Sequence, residues 1–527
     1  MKTFHRTLVT ATPPTPNGDM HLGHLSGPYL NADVYCRHLR RSAHPVRYVT
    51  GGDDNQSYLV TTAQRLGRSP AQTAAGFNHR IVETLEALEI ELDLYSIPDA
   101  EYGKFVNDFF LSLYRRGHLV AKTKDFWFCK EHQRFLYEGY TKGSCPLCLS
   151  IANGNICETC GHPNHPGDLI DARCSAAPDH PLERRPLTLL YLELERYRDA
   201  LAEFHEAAHP LWRPHLRALA RQLLANPLLD LPVTFPAAWG ISVPLPGFAG
   251  QVWNSWAEMF PALLFAGKRA AAPLGEDVFV AQFLGFDNAY WFCAAHPAFA
   301  VAADMPAALP DWILTNEFYL LDNEKFSTSR NHAIWGGDFL KECPPTHLRF
   351  YLAITNPELQ QTNFALAEME ATVNERLVAP WNRLLASLQR LEASHGRAAD
   401  QAAPASETAD ALSQIGRTIE QAYEPDGFSL RAAAEATATL IATLADYSEH
   451  GERMEPSGGG VPDCLRTLRH GLRVLAASAA PLLPSFCRAL TAALADDGPA
   501  LQARALESLK LPSISMDPSL RRVRRAA

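Results

Sequence analysis

The sequence predicts an α/β protein whose parallel sheet is split by a cysteine-bearing insertion and followed by an α-helical bundle. Three observations carry that reading. Residues 7–60 run strand, loop, helix, strand, as "TLVTAT", "MHLGHLSGPYLNADVYCRHLRR" and "PVRYVTGGDDN", which is the opening of a βαβ unit that binds ligands at the carboxyl ends of its strands. After a helical stretch over 70–116, strand-like runs return at "GEDVFVAQFLGFDNAYWF" (275–292) and "DWILTNEFYLLDNEKFSTSRN" (311–331), so the intervening segment interrupts the sheet. Beyond about residue 365 the chain turns alanine-rich and helical, broken by "EASHGRAADQAAPASETAD" and "EPSGGGVPD". The expected organisation is 1–117 and 241–365 for the two halves of the sheet domain, 118–240 for the insertion and 366–527 for the bundle.

At 527 residues the chain exceeds what one hydrophobic core serves, and about three or four domains are expected. A hydrophobic content of 47% excludes wholesale disorder. The net charge of -10 gives no support to bulk attraction to nucleic acid, although a basic face can coexist with an acidic remainder. The first residues run into "RTLVTAT" without an apolar signal core, and no stretch is long enough to span a bilayer, so a cytoplasmic enzyme off the membrane is expected. The tail "RRVRRAA" reads as a solvated end or a nucleic-acid contact.

The first loop carries the densest chemistry. His21 and His24, at i and i+3, share a face where a helix should start. Such a start offers unpaired N–H groups and the positive end of the helix dipole, so imidazoles there suit an anion such as a triphosphate. Gly18 and Gly23 allow close backbone approach, and Pro13, Pro14 and Pro16 stiffen the entry. By themselves two such histidines also fit surface positions or half of a metal site. Asp53 in "GGDDN" fits a turn as well as a ligand contact. Among the 11 cysteines, "CPLC", eight residues and "CETCG" place Cys145, Cys148, Cys157 and Cys160 as four thiolates able to close a tetrahedral zinc site. An all-cysteine site of that kind is structural.

"PNGDMHLGHL" after a strand resembles the HIGH signature of class I aminoacyl-tRNA synthetases, and the resemblance to methionyl-tRNA synthetases extends along most of the chain. "NADVYCRHLRRSAHPVRYVTGGDDNQ" is similar to their next helix and strand, "GSCPLC" through "CETCG" to their zinc knuckle, and "QFLGFDNAYWF" to a later nucleotide-side strand. "NEKFSTSRN" sits where the second signature loop, KMSKS, belongs, and "GLRVLAASAAPLLPSFCRALTAAL" is similar to the last helices of the anticodon-binding bundle. The resemblance implies a class I Rossmann-like fold using ATP with Mg2+ and a structural Zn2+. It assigns the phosphates to His21, His24, Lys325, Ser327 and Ser329, the rest of ATP to Pro16, Gly18, Gly23, Gly285 and Asp287, and the α-ammonium of the amino acid to Asp53. It assigns the amino-acid side chain to Pro13, Thr15, Trp253, Trp256, Phe260 and Phe292. Cys129, His132 and Cys174 match a second knuckle found in some members; the fourth position is Ala177, with His180 as a possible replacement.

Departures from the family carry the functional expectation. The second lysine of the loop is Thr328; a charge-assisted contact of that kind is worth about 1.5–3 kcal/mol, on the order of ten- to a hundredfold in rate. Phe260 and Thr15 take the places of tyrosines, Phe292 that of a histidine and Trp256 that of a small residue, so a smaller or differently shaped side chain than methionine is expected, unless Trp256 is ordinary core. The tryptophan that stacks the anticodon is missing, since no tryptophan follows Trp381, and the reading positions on the first bundle helix are Arg383 and Ser387. The expectation is amino-acid adenylation followed by transfer to a small amine or hydroxylamine, giving an amide or an ester. This resembles synthetase-like domains of bacterial specialised metabolism that act ahead of N–N bond formation by a cupin; with no cupin-like histidine cluster here, a separate partner would supply it. A working methionyl-tRNA synthetase and a catalytically silent binding protein are the alternatives. Nothing in the sequence specifies an oligomer, and a monomer would suffice.

Overall fold

The computed structural model describes residues 4–271, 275, 277–326, 332–395, 406–454, 460–495 and 503–516. The chain forms two compact units, one of residues 1–20, 44–83 and 91–318, the other of residues 21–43, 84–90 and 319–527.

The first unit is built on a parallel sheet of β1 (Arg6–Ala11), β2 (Val46–Gly51), β3 (Leu94–Ser96), β4 (Val278–Gly285) and β5 (Trp312–Asn316), in the order β5-β4-β1-β2-β3. Val9 of β1 pairs with Tyr48 on one side and Ala281 on the other. Continuous apolar, β-branched strands suit a sheet covered on both faces, and Val9, Tyr48, Val49, Ala281 and Ile313 are all fully buried. The order reverses direction at β1, so the ends of β1 and β4 make the switch point where such sheets bind ligands. β3 lies inside the stretch read as helical; three residues are too few for a strand periodicity to register.

Within the insertion, Leu119–Cys129 and Leu182–Leu192 pair antiparallel over eleven rungs. Glu138–Ser144, Ile151–Gly154 and Ile170–Cys174 form a small three-stranded sheet that carries the CxxC turns.

In the second unit the expected helix after "PNGDM" begins at Leu22 and is interrupted over Leu25–Tyr29, where Gly27 leaves helical geometry (φ -94°, ψ -117°) ahead of Pro28, before Leu30–Arg41 resumes. Asp33 of that helix and Arg349 of Pro345–Ile354 form a fully buried ion pair at 2.7 Å. Arg349 also donates to the carbonyls of Leu88, Glu89, Pro481 and Leu482, so its guanidinium is saturated. The bundle comprises Ala379–His395, Ser406–Gln421, Leu430–Glu452, Gly460–Ser478 and Pro484–Ala495. Ser429 caps the longest of these through Ala432 N at 3.0 Å.

Candidate active site and metal clusters

His21 is the N-cap of Leu22–His24, and the two histidines cap each other: Nδ1 of His21 accepts from His24 N at 3.2 Å, and Nδ1 of His24 lies 3.4 Å from His21 N. Their rings stack at 3.6 Å, and Phe326 stacks on His21 at 4.9 Å. With Nδ1 accepting, each neutral ring carries its proton on Nε2. Neither Nε2 makes a hydrogen bond among the described residues, so two N–H groups stand uncommitted on one face. Burial holds the pKa of His21 well below the usual imidazole range, reinforced by His24 and the charge of Lys325; burial and Lys325 lower His24 to about 4. Both are therefore neutral directed donors at neutral pH. A side chain at Gly23 would meet His21 Nδ1 at 3.0 Å and Phe326 at 3.2 Å, so the glycine is what lets the ring lie against the helix start. Lys325 ends the short strand Glu324–Lys325, paired with Leu320. Ser327, Ser329, Thr328 and Arg330, like the arginine tail, lie outside the described residues.

In the first unit, the loop after β1 carries Pro13, Thr15, Pro16 and Gly18, and Pro14 O accepts the backbone N–H of Asp53 at 3.0 Å. Asp53 follows β2, is 7% exposed and receives Gln56 Nε2 at 2.6 Å. Burial raises its pKa well above the usual carboxylate range, and Glu258, Glu138 and Asp54 add to the rise. Beyond β4, Asp287 Oδ1 accepts from Asn288, and a Cβ at Gly285 would meet that oxygen at 2.5 Å, so this carboxylate sits tight against the strand end.

The aromatic residues divide. Trp253 donates to Asn107 at 2.7 Å and stacks on Phe110 at 4.7 Å. Phe260 and Phe292 sit in one hydrophobic cluster and both pack against His296, at ring distances of 5.8 and 4.8 Å. Trp256 is half-buried and stacks on Trp291 at 5.6 Å. Burial lowers the pKa of His296 to about 4, and its Nε2 lies 3.3 Å from Trp256 O. Three residues escaped the sequence reading. His296 lies four positions beyond the matched run. Glu258 is the lone acid in the apolar "SWAEMFPALLF", a signal that was visible. Tyr102, which donates to Glu258 at 2.5 Å, carries no local signal.

The thiols of Cys145, Cys148, Cys157 and Cys160 lie within 4.8 Å of one another. The Cys145–Cys160 and Cys148–Cys157 sulfur separations are 3.9 and 3.5 Å; a tetrahedron with Zn–S bonds of about 2.3 Å has edges of about 3.8 Å. The donor set fits zinc. Cys129, His132, Cys174 and His180 form a second cluster, with His132 Nδ1 at 3.5 Å from Cys129 and 3.3 Å from Cys174, and His180 Nδ1 at 3.5 Å from Cys129. His180, not position 177, supplies the fourth donor.

The bundle face offers the opposite picture. Arg383 meets Glu449 at 2.9 Å and Asp446 at 3.3 Å, Ser387 donates to Glu452, Arg390 pairs with Glu452 at 2.8 Å, and Arg376 pairs with Glu435. All four acids stand on Leu430–Glu452. Trp381 is fully buried and donates to Leu509 O at 2.8 Å, a structural role.

The family model described as tRNA synthetases class I (M) matches residues 7–388. The methionine–tRNA ligase of Thermomicrobium roseum is 32% identical over 385 residues, 71% of this chain and 66% of that protein. For that of Bacteroides fragilis the figures are 30% over 395 residues, 73% and 58%. The chain thus spans under two thirds of the length of these relatives. The solved methionyl-tRNA synthetase of Mycobacterium tuberculosis in complex with methionyl-adenylate superimposes with a TM-score of 0.73 over 97% of this chain and 98% of that one, at 17% identity, which shows a shared fold.

Proposed function

This chain belongs to the methionyl-tRNA synthetase family of class I, and from that premise we propose that it forms an aminoacyl adenylate from ATP and passes the acyl group to a small amine or hydroxylamine in place of tRNA. The observation that carries the choice of acceptor is the bundle face, where Arg376, Arg383 and Arg390 are each held by a carboxylate. A surface that read an anticodon would present cations to phosphates and aromatic rings to bases.

Asp53 takes the α-ammonium, and Gly285 and Asp287 take the nucleoside. The bulk of Phe260, Phe292 and Trp256 would favour a side chain smaller than methionine. For the phosphates, His21 and His24 donate through Nε2–H, and Lys325 adds its ammonium. A carboxylate oxygen of the amino acid attacks the α-phosphorus, the bond to pyrophosphate breaks, and charge on the departing oxygens is met by donors already in place. Mg2+ arriving with ATP supplies further neutralisation. An acceptor nitrogen or hydroxylamine oxygen then attacks the carbonyl carbon and AMP leaves, giving an amide or an ester. Zinc at the all-cysteine knuckle would hold the insertion, and Cys129, His132, Cys174 and His180 would hold a second ion. Among the described residues no helix is long and apolar enough to cross a membrane, and a cytoplasmic setting keeps such thiols reduced.

ATP–pyrophosphate exchange on the purified protein tests this reading across the proteinogenic and small non-proteinogenic amino acids. Exchange with an amino acid other than methionine is expected. Exchange with methionine alone, together with charging of tRNA, returns the chain to the ordinary activity of its relatives; no exchange with any amino acid leaves a silent homologue.

A further inference from the structure

Glu258 lies in an apolar helical run and is 3% exposed. One carboxylate oxygen does all its bonding: Oε1 accepts from Tyr102 at 2.5 Å and from Asn55 Nδ2 at 2.7 Å, while Oε2 is buried with no hydrogen-bond partner among the described residues. Gln56, the next residue after Asn55, is fully buried and donates through Nε2 to Asp53 at 2.6 Å. That is the amide orientation a carboxylate demands, and it leaves Gln56 Oε1 buried and likewise without a partner. Two acceptors from different elements, one an acid and one a neutral amide, are thus left without donors beside Asp53.

Two other buried acids are matched by arginines, Asp33 by Arg349 and Glu392 by Arg469, each at 2.7 Å, and the buried Glu358 accepts from Ser429 Oγ and Arg431 N. Asp53, Asp54, Glu138 and Glu258 are all under 10% exposed, and none is in an ion pair among the described residues. An unmatched buried acid costs folding free energy, so a site that keeps several is built for a cation that arrives. A cavity of about 360 Å³ adjoins the group, lined by Asp54, Asn78 and Trp239 and by Asn55 and Tyr102, the two side chains that hold Glu258.

We propose that Glu258 Oε2 and Gln56 Oε1 bind a second ammonium group, distinct from the α-ammonium at Asp53, so that the amino acid activated here or the amine that accepts it is a dication. This rests on the adenylation reading for the role of Asp53, and extends it to the substrate class. An ammonium supplies three N–H donors and a full positive charge, which matches two donor-starved acceptors, whereas a hydroxyl would bring one donor and no charge.

The test is calorimetric titration of the full-length protein, which needs no turnover. 2,4-Diaminobutyrate is compared with norvaline, ornithine with norleucine, and 1,3-diaminopropane with n-butylamine; each pair differs by an ammonium exchanged for a methyl group. A preference of about tenfold or more for the dication is expected in at least one pair, and Glu258→Gln, which keeps an acceptor for Tyr102 and Asn55, should abolish it. Preference in an amino-acid pair assigns the cation to the activated substrate, and preference in the diamine pair alone assigns it to the acceptor. Equal affinity within every pair, or a preference that survives Glu258→Gln, overturns the proposal. The first of these is read on the unmodified protein, so a misfolded variant does not spare it. Failure of pyrophosphate exchange with every amino acid would instead sink the adenylation reading and leave this comparison standing.

Discussion

Two regions of this protein gather carboxylates, and they treat them in opposite ways. Beside Asp53 the acids are buried and unmatched by any cation among the described residues, whereas along Leu430–Glu452 they are exposed or half-buried and Glu435, Glu449 and Glu452 each hold an arginine. The histidine turn follows the logic of the first region: both Nε2–H groups are uncommitted among the described residues, and burial keeps the rings neutral. Groups left unsatisfied at a folding cost point to ligands; groups satisfied by their neighbours point to none. On the proposed reading, the first region serves nucleotide and amino-acid chemistry, and the bundle face, with its arginines held by carboxylates, is not an anticodon reader.

The largest expected effect breaks the unsatisfied side. His21→Ala or His24→Ala removes a donor aimed at the phosphates, and each should lower the exchange rate on the order of 10²- to 10³-fold, the usual loss for one preorganised donor. Since the rings cap and stack on each other, the double variant should be little worse than either single one. A loss confined to KM would show that they bind ATP without stabilising the transfer. The two histidines should add no titration to the rate between pH 7 and 6, because His24 is lowered to about 4 and His21 well below its ordinary value.

Glu258→Gln sharpens the comparison through stability. Burial raises the pKa of Glu258 from 4.5 to about 7, so between those pH values the folded protein holds a proton that the unfolded chain releases. Folded stability therefore falls as pH rises through that window, by up to about 3 kcal/mol. The Gln variant lacks this penalty. Its melting temperature should match the parent near pH 4.5, exceed it increasingly up to pH 7 and run parallel above; a variant less stable at pH 8 would make Glu258 a structural acid. Asp446→Asn should show no comparable gain.

Thr328→Lys is the next test in size. Restoring the second loop lysine should raise exchange about ten- to a hundredfold, the worth of one charge-assisted contact. No gain would mean that the phosphates are already met by other groups.

Much of the fold was legible because its signals are local. Buried β-branched strands and the His21–His24 pair can each be read within a dozen residues and the four-cysteine spacing within sixteen, and β3 was lost because three residues carry no period. The carboxylate group was not legible, since Asn55, Tyr102 and Glu258 come from three elements and only the chain's tertiary path makes them partners. His180 reaches the second cluster from 51 residues beyond Cys129, a replacement that spacing could nominate but not place. The pairing of Arg383 with acids 63 and 66 residues away is equally invisible to any local pattern.

That pairing supports the smallest and most discriminating prediction. Arg383 is about half exposed, at 49%, and exposed ion pairs contribute roughly 0–1 kcal/mol, so Asp446→Asn with Glu449→Gln should leave the melting temperature within a degree or two and the exchange rate unchanged. What changes is the field of the face, which gains an uncovered cation. If the acids serve to cancel the arginines, affinity for bulk tRNA should rise a few-fold at low salt and the salt dependence should steepen by about one phosphate contact. If instead the unmodified protein already binds tRNA tightly and the double variant weakens it, the acids position Arg383 for recognition, and the contrast between the two carboxylate regions is one of placement and not of function.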